Sequence, residues 1–122
     1  MKTYGKRVWL IPDAYFSSVS TKQKSHEAVC VINTSDCNAR IKFTLMFEDR
    51  DPIEGFESFC LAKHTHHIRM DKLEGKNGIT VPMDVPYAIL VESSVEIVVQ
   101  YSRLDTSQAE MALMTTMAYS VE

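Results

Sequence analysis

The sequence predicts an all-β fold, an antiparallel β-sandwich or jelly-roll-like single domain that spans residues 1–122. Apolar residues recur mainly with a period of two, which is the period of a strand with one buried face. Short apolar runs alternate with clusters of turn-forming residues. The chain has 122 residues, of which 45% are hydrophobic and 24% are charged, and this is typical of one globular domain with its own core.

Two strands are predicted in the first half of the chain. Residues 40–48 alternate, with apolar side chains at the odd positions from Ile41 to Phe47, so they predict a half-buried strand. Residues 28–32 are apolar at every position, which indicates a central strand covered on both faces. Because residues 33–36 are turn formers, we expect these two strands to form a hairpin.

The segment of residues 56–70 is long for one strand, and its apolar positions change parity. Phe59 is at an odd position and Ile68 at an even one. Since a slip of one residue exchanges the two faces of a strand, a β-bulge or bend is predicted near residues 62–66.

Further strands are predicted towards the end of the chain. Residues 87–91 and 95–101 indicate two strands joined near Ser93 and Ser94. The apolar residues of 111–121 fit a helix about as well as a strand. The methionines of this tail are expected to pack in the core or at a subunit interface, and they are Met111, Met114 and Met117.

Charge and cysteine content exclude several classes of function. The net charge is -3, with +4 in residues 1–24 and -7 in the remainder, so nucleic acid is not favoured as a partner. No C-x-x-C motif is present, and Cys30, Cys37 and Cys60 are expected as free thiols. No apolar run is long enough to span a membrane or to form a secretory signal, and a cytoplasmic location is therefore expected.

Enzymatic and metal-binding motifs are scarce. The sequence has no G-x-S-x-G, P-loop or G-x-G-x-x-G motif, so no catalytic residue and no cofactor is predicted. His64 and His66 are weak metal candidates, because on a strand they share a face about 6.6 Å apart. A third ligand would have to come from a neighbouring strand, and the alternative is that both are exposed histidines.

A polar ligand site is the sharper hypothesis. If Ile68 faces the core, the polar side chains at the odd positions of 65–69 line the opposite face. Arginine provides a planar fork for carboxylate, phosphate or vicinal hydroxyls, and the other polar groups supply directional donors and acceptors. The candidate ligand-binding residues are His26, Glu27, Thr65, His67, Arg69, Gln100 and Arg103.

The alternative interpretation is an internal polar network. Arg69 or Arg103 would then pair with Glu27 or Asp105 and stabilise a contact between subunits. Asp105 is also expected to accept backbone N–H bonds in a turn, and Trp9 is expected to anchor the first strand in the core.

Four segments, in this order and at this spacing, carry a resemblance to a known family. They are Gly5–Trp9, Ser25–Asn33, Thr65–Arg69 and Ile97–Tyr119. Together they resemble the sensory rhodopsin transducer family, whose typical member is the soluble partner of a cyanobacterial photoreceptor.

The resemblance implies a β-sandwich, a homotetramer and no enzymatic role. It also implies association with the cytoplasmic side of a sensory rhodopsin, and DNA binding has been proposed for the typical member. The family's sandwich is similar to carbohydrate-binding modules, which suggests sugar-like ligands for other members. For residues 111–121 the resemblance favours a strand.

We therefore expect a non-enzymatic module that senses a small polar ligand, or relays a receptor signal, as a homo-oligomer. The alternatives are a small metal-dependent enzyme acting on sugars and a scaffold for a membrane receptor.

Overall fold

The structure is a computed structural model, and it describes residues 2–21, 23–108 and 110–121. The pairings among its strands are antiparallel, which confirms the predicted fold class. Short 3₁₀ turns cover Met70–Lys72 and Lys76–Gly78. The strands are β1 (Lys6–Ala14), β2 (His26–Asn33), β3 (Ala39–Met46), β4 (Ile53–Cys60), β5 (His64–Arg69), β6 (Tyr87–Asp105), β7 (Ala112–Met117) and β8 (Tyr119–Val121).

Strand β6 belongs to two sheets. Its first part pairs with β1 and β3 in a first sheet of order β4-β3-β6-β1-β8. Its second part pairs with β2 and β7 in a second sheet of order β5-β2-β6-β7. The inward-facing residues of both sheets meet in one hydrophobic cluster, so β6 connects the two walls of the core.

A bend in β6 makes this sharing possible. Lys6 of β1 lies opposite Ile97, whereas Val8 lies opposite Glu92, so β6 uses five residues where β1 uses two. The indole Nε1 of Trp9 donates to the carbonyl oxygens of Lys6 at 3.0 Å and Ile97 at 3.1 Å. Trp9 is 7% exposed, which confirms its predicted place in the core and shows that it also closes the bend.

The prediction of two strands joined near Ser93 and Ser94 is therefore wrong, because one strand of 19 residues runs through this point. The two serines lie where the register of β6 with β1 shifts. Ser93 Oγ accepts from the backbone N–H of Val95, and Ser94 Oγ from that of Arg40. The same local residues are found in bends and in tight turns, so the sequence pattern does not distinguish the two. Because β6 bends and does not reverse, its odd positions face the interior on both sides of the bend.

The predicted hairpin of residues 28–32 and 40–48 is also wrong. β2 pairs with β5 and β6, so it has no free edge for β3, which lies in the other sheet. The buried side chain of Asn33 organises the crossing. Its Nδ2 donates to the carbonyl oxygens of Cys37 at 2.7 Å and Cys60 at 3.0 Å, and its Oδ1 accepts from the N–H and hydroxyl of Ser35.

The parity change within residues 56–70 has a larger cause than a bulge. The chain leaves β4 in the first sheet, turns at residues 61–63, and enters β5 in the second sheet. Lys63 adopts a φ of 61° at this turn. The sequence thus located the irregularity to within a few residues, and the structure shows that it is a change of sheet.

The tail forms strands, as the resemblance implied, and the helical alternative is wrong. β7 lies in the second sheet and β8 in the first, and between them the N–H of Ala118 donates to the carbonyl oxygen of Val99 at 3.1 Å. Of the two places expected for the tail methionines, the core is wrong, because Met111, Met114 and Met117 are 40–57% exposed in the single chain. Packing at a subunit interface stays a prediction.

Candidate functional site

The outer face of the second sheet carries a straight row of polar and sulfur-containing side chains. Cys30 on β2 lies directly opposite both His67 on β5 and Gln100 on β6. Gln100 in turn lies opposite Met117 on β7. In an antiparallel sheet, residues directly opposite each other project from the same face about 5 Å apart. The row therefore crosses all four strands of the sheet.

A shallow pocket of about 210 Å³ lies over this row. Thr65 enters it from the neighbouring row, and its hydroxyl donates to the carbonyl oxygen of Val31 at 2.9 Å, which leaves the oxygen lone pairs available as acceptors. The structure thus brings together three of the candidate residues. The pocket is lined by Cys30, Val31, Ile32, Thr65, His67, Val98, Gln100 and Met117.

Arg69 lies beside the pocket, one row further along β5 and opposite Ala28. Its guanidinium donates two hydrogen bonds of 2.8 Å to the carboxylate of Asp71, whose side chain is only 1% exposed. Burial alone would raise the pKa of Asp71, but the bonds and charge of Arg69, with Lys24 at 3.5 Å, outweigh it and lower that pKa. Arg69 is thus held by an internal carboxylate, while about a third of its side chain stays exposed.

Glu27 and Arg103 do not reach the pocket. Glu27 points inward and is 0% exposed. Its carboxylate accepts hydrogen bonds from the hydroxyls of Tyr87 and Tyr101 and from the backbone N–H of Tyr15 at 3.1 Å. Arg103 donates through Nε to the hydroxyl of Tyr101 at 3.2 Å. These five residues form a buried polar cluster, which we call the Glu27 cluster.

The Glu27 cluster shows the electrostatics of a buried acid. Burial raises the pKa of Glu27, and the donors from Tyr101, Tyr87 and Tyr15 oppose this rise only in part. Burial and the adjacent carboxylate also raise the pKa of both tyrosine hydroxyls, so these remain protonated donors. Among the described residues, no buried side-chain nitrogen or oxygen atom lacks a hydrogen-bond partner.

The seven candidate residues therefore divide into two groups. Thr65, His67 and Gln100 line the pocket, and Arg69 lies at its edge. His26 is on the same outer face but further along β2, where its Nδ1 is 2.9 Å from the carbonyl oxygen of Lys24. The remaining two, Glu27 and Arg103, belong to the Glu27 cluster, in which the hydroxyl of Tyr101 lies between them. The ion pair of Arg103 is with Asp13 at 3.6 Å, and that of Arg69 is with Asp71. The subunit contact of the alternative interpretation stays a prediction. The carboxylate of Asp105 accepts from the N–H of Ser107 at 2.8 Å, as the turn prediction required.

The two weak metal candidates lie apart from the pocket. His64 Nδ1 is 2.7 Å from the carbonyl oxygen of Ala62, and His66 Nδ1 forms a short contact with that of Phe59. The His66 ring also packs on the Phe59 ring, with centroids 4.9 Å apart. Within residues 2–21, 23–108 and 110–121, no three side chains of His, Cys, Asp or Glu are placed to hold a metal ion.

Sequence reasoning missed the partners of the charged residues. Tyr87, Tyr101 and Asp71 were not singled out, although Tyr87 and Tyr101 both occupy odd positions in segments whose odd positions are apolar. A hydroxyl at the end of an inward-facing ring needs a buried acceptor. That rule, applied to the tyrosines, would have indicated an acidic partner inside the core.

The fold and the site together define an all-β protein with a shallow polar pocket on an open sheet face. In the described part of the chain, no helix is long and apolar enough to cross a membrane. The family described as Anabaena sensory rhodopsin transducer matches residues 4–120. The chain belongs to this family, and this membership supports a signalling-related module.

Two solved structures are similar along nearly the whole chain. The crystal structure of Thermotoga maritima 1070 has 37% sequence identity and a TM-score of 0.86, and the match covers 97% of each chain. The Anabaena sensory rhodopsin transducer has 31% identity and a TM-score of 0.76, covering 89% of this chain and 96% of that one. No curated protein sequence matches the chain.

Proposed function

We propose that this protein is a non-enzymatic, cytoplasmic signalling module that binds a small polar, sugar-like ligand and acts as a homo-oligomer, as a homotetramer if it follows the family. The observation that supports a ligand is the row of His67, Cys30 and Gln100, with Thr65 beside it. These residues line a solvent-open pocket of about 210 Å³. Such a site binds its ligand without making or breaking bonds.

The lining of the pocket suits a sugar in two ways. The imidazole of His67, the carboxamide of Gln100 and the hydroxyl of Thr65 offer both donors and acceptors to hydroxyl groups. Between them, Val98 and Met117 provide apolar surface for the C–H face of a ring. Arg69 at the edge adds a positive charge, which favours sugar acids and phosphorylated sugars over neutral sugars.

A thermal-shift screen against neutral sugars, sugar acids and phosphorylated sugars tests this proposal. A ligand present at 100 times its Kd stabilises the folded state by about 2.7 kcal/mol, which is a measurable shift. We expect the shift to be lost in Gln100→Ala and His67→Ala. His64→Ala is the matched control, because His64 is an exposed histidine of the same strand outside this pocket.

Arg69→Ala separates a ligand role from a structural role. We expect weaker binding of anionic sugars with the oligomer unchanged, because the freed Asp71 would leave a negative charge beside the pocket. Loss of the oligomer with unchanged affinity would assign Arg69 to a subunit contact instead.

A receptor relay is the second candidate, and family membership is the observation that favours it. In this form the protein serves a membrane receptor such as a rhodopsin, as a transducer or as a scaffold. A flat ligand screen, together with binding to a purified sensory rhodopsin in detergent, would favour the relay. A metal-dependent enzyme has no such support. That alternative would require the protein to bind metal in near-stoichiometric amount and to lose it in a His64→Ala, His66→Ala double variant.

A further inference from the structure

A second concave site lies on the outer face of the first sheet. It is a pocket of about 290 Å³ beside β3, β4 and the turn of residues 76–78, and we call it the Lys42 pocket. Because the row of His67, Cys30 and Gln100 belongs to the second sheet, the two pockets are separate. The charged residues that line the Lys42 pocket are two lysines and three glutamates, namely Lys42, Lys76, Glu54, Glu57 and Glu92.

A β-bulge in β4 shapes this pocket. Phe43 lies opposite Phe56 and Leu45 opposite Ile53, so β4 has one more residue than β3 between these pairs. The extra residue is accommodated at Gly55, whose φ of +95° lies in the left-handed region that favours glycine. In a regular strand, residues 54 and 57 would point to opposite faces. The bulge instead brings both of their carboxylate side chains to the same pocket.

The turn of residues 76–78 packs closely on the bulge and positions Lys76. A Cβ atom at Gly55 would lie 3.5 Å from Cγ of Lys76. A Cβ atom at Gly75 would lie 3.3 Å from both the carbonyl oxygen of Gly55 and the ring of Phe56. These two glycines let the aliphatic stem of Lys76 lie on the backbone of β4, and its side chain lines the pocket.

Positive and negative groups alternate across β4, β3 and β6. Lys42 lies directly opposite Glu57 on one side and Glu92 on the other. Side chains in such cross-strand pairs are about 5 Å apart at Cβ. Of the five charged residues of the pocket, Glu57 alone forms an ion pair within the described part of the chain, a contact of 3.9 Å with Arg40. The other charged groups are therefore available to a ligand.

We propose that the Lys42 pocket binds a zwitterionic small molecule, a free α-amino acid. Lys42 and Lys76 bind the carboxylate of the ligand. Glu92 binds its ammonium group, since Glu57 is shared with Arg40. An anion alone would face three glutamates and a cation alone would face two lysines, whereas a molecule that carries both charges matches the alternation. The volume of about 290 Å³ suits a molecule of this size.

An NMR titration of the full chain with the common L-amino acids tests this inference. We expect the backbone amide signals of Gly55 and Lys76 to shift, and that of Gln100 to stay unchanged. The strongest ligand is then compared with its N-acetyl derivative, which keeps only the carboxylate, and with its amide, which keeps only the ammonium group. Each should bind about fivefold more weakly, because an exposed charge pair contributes about that much to affinity. No binding of any amino acid, or equal binding of either derivative, would overturn the inference.

Single substitutions assign each charge of the ligand to a residue. We expect Lys42→Ala to weaken binding of the amino acid and its N-acetyl derivative about fivefold, and to leave binding of the amide unchanged. Glu92→Gln should weaken binding of the amino acid and the amide, and leave the N-acetyl derivative unchanged. Lys72→Ala is the matched control, because Lys72 is an exposed lysine outside this pocket. Equal weakening in Lys72→Ala would show that only the net charge matters, and it would overturn the site.

The same variants keep this inference distinct from the proposed function. Lys42 and Glu92 are exposed, so their substitution should leave the fold intact, and the amide spectrum without ligand checks this. Gln100→Ala changes the pocket of the second sheet and should leave amino-acid binding unchanged. Loss of amino-acid binding in Gln100→Ala but not in Lys42→Ala would place the ligand in that other pocket and overturn the inference. A sugar screen without a hit would count against the proposed function alone.

Discussion

Gln100 and Tyr101 are neighbours on β6, yet their surroundings are opposite. Gln100 lies half-buried on the outer face among His67, Cys30 and Met117. Tyr101 is 0% exposed and donates to a buried carboxylate on the inner face. Because successive side chains of a strand point to opposite faces, one residue can serve binding while its neighbour in the sequence serves stability. Substitutions on the inner side should unfold the protein, and those on the outer side should change what it binds.

The largest effect is expected where β6 bends from one sheet to the other. Gly5 has a φ of +105°, and a Cβ atom there would lie 1.9 Å from the carbonyl oxygen of Ile97. We therefore expect Gly5→Ala to lower the free energy of unfolding by about 4 kcal/mol. Gly78→Ala is the control, since its φ is +73° with no atom within 4 Å, so it should cost about 1 kcal/mol. Equal losses in denaturant unfolding would show that backbone conformation, and not the bend, sets the cost at Gly5.

The next largest effect is expected at Glu27. Glu27→Ala leaves the buried hydroxyls of Tyr87 and Tyr101 without their acceptor, and we expect a loss of about 3 kcal/mol in urea unfolding. Glu57→Ala is the outer control, because Glu57 is exposed and only 3.9 Å from Arg40 in a surface ion pair, and its loss should stay below about 0.5 kcal/mol. Similar losses for both would contradict the assignment of Glu27 to the fold.

The pH dependence of stability gives a third test of the inner face. Because burial raises the pKa of Glu27 above its ordinary value of 4.5, the folded state holds a proton that the unfolded state has released. The contribution of Glu27 to stability is thus fully present below pH 4.5 and declines as pH rises towards the folded pKa.

Glu27→Gln removes this titration. The unfolding free energy of the unchanged chain should therefore fall relative to that of Glu27→Gln as pH rises above 4.5, by about 1.4 kcal/mol for each unit of pKa difference. Asp71 has a lowered pKa, so its contribution is lost as pH falls through acidic values and does not mimic this decline. Parallel curves from pH 4 to 8 would show that the pKa of Glu27 is the same in the folded and unfolded states, and would contradict the raised pKa.

The sequence predicted those parts of the fold that depend on local pattern. The alternation of β3 and the apolar run of β2 identified two strands, and the parity change after Phe59 indicated the irregularity that proved to be a change of sheet. The hairpin was predicted wrongly because the contacts of Asn33 that direct the crossing include Cys60, which is 27 residues away. Turn-forming residues show that the chain reverses, but they do not show which strand it will pair with.

The site was predictable to the same extent. Thr65 and His67 share a face because they lie two residues apart on one strand, and this follows from the pattern. Gln100 joins them only because Cys30 is opposite both His67 and Gln100, a register that no local signal specifies. Glu27 was assigned to the ligand site because polarity alone does not show whether a residue faces water or a buried tyrosine.

The smallest effect on stability is expected on the outer face. Gln100→Ala should change the free energy of unfolding by no more than about 0.5 kcal/mol, because no buried group among the described residues depends on the Gln100 carboxamide for a hydrogen bond. Tyr101→Phe, one residue further on, removes the hydroxyl that donates to Glu27 and accepts from Arg103, and should cost about 1.5 kcal/mol. Urea unfolding of the two single variants measures the contrast directly. If Gln100→Ala were as costly as Tyr101→Phe, the outer row would be part of what holds the second sheet together, and its polar residues could no longer be assigned to binding alone.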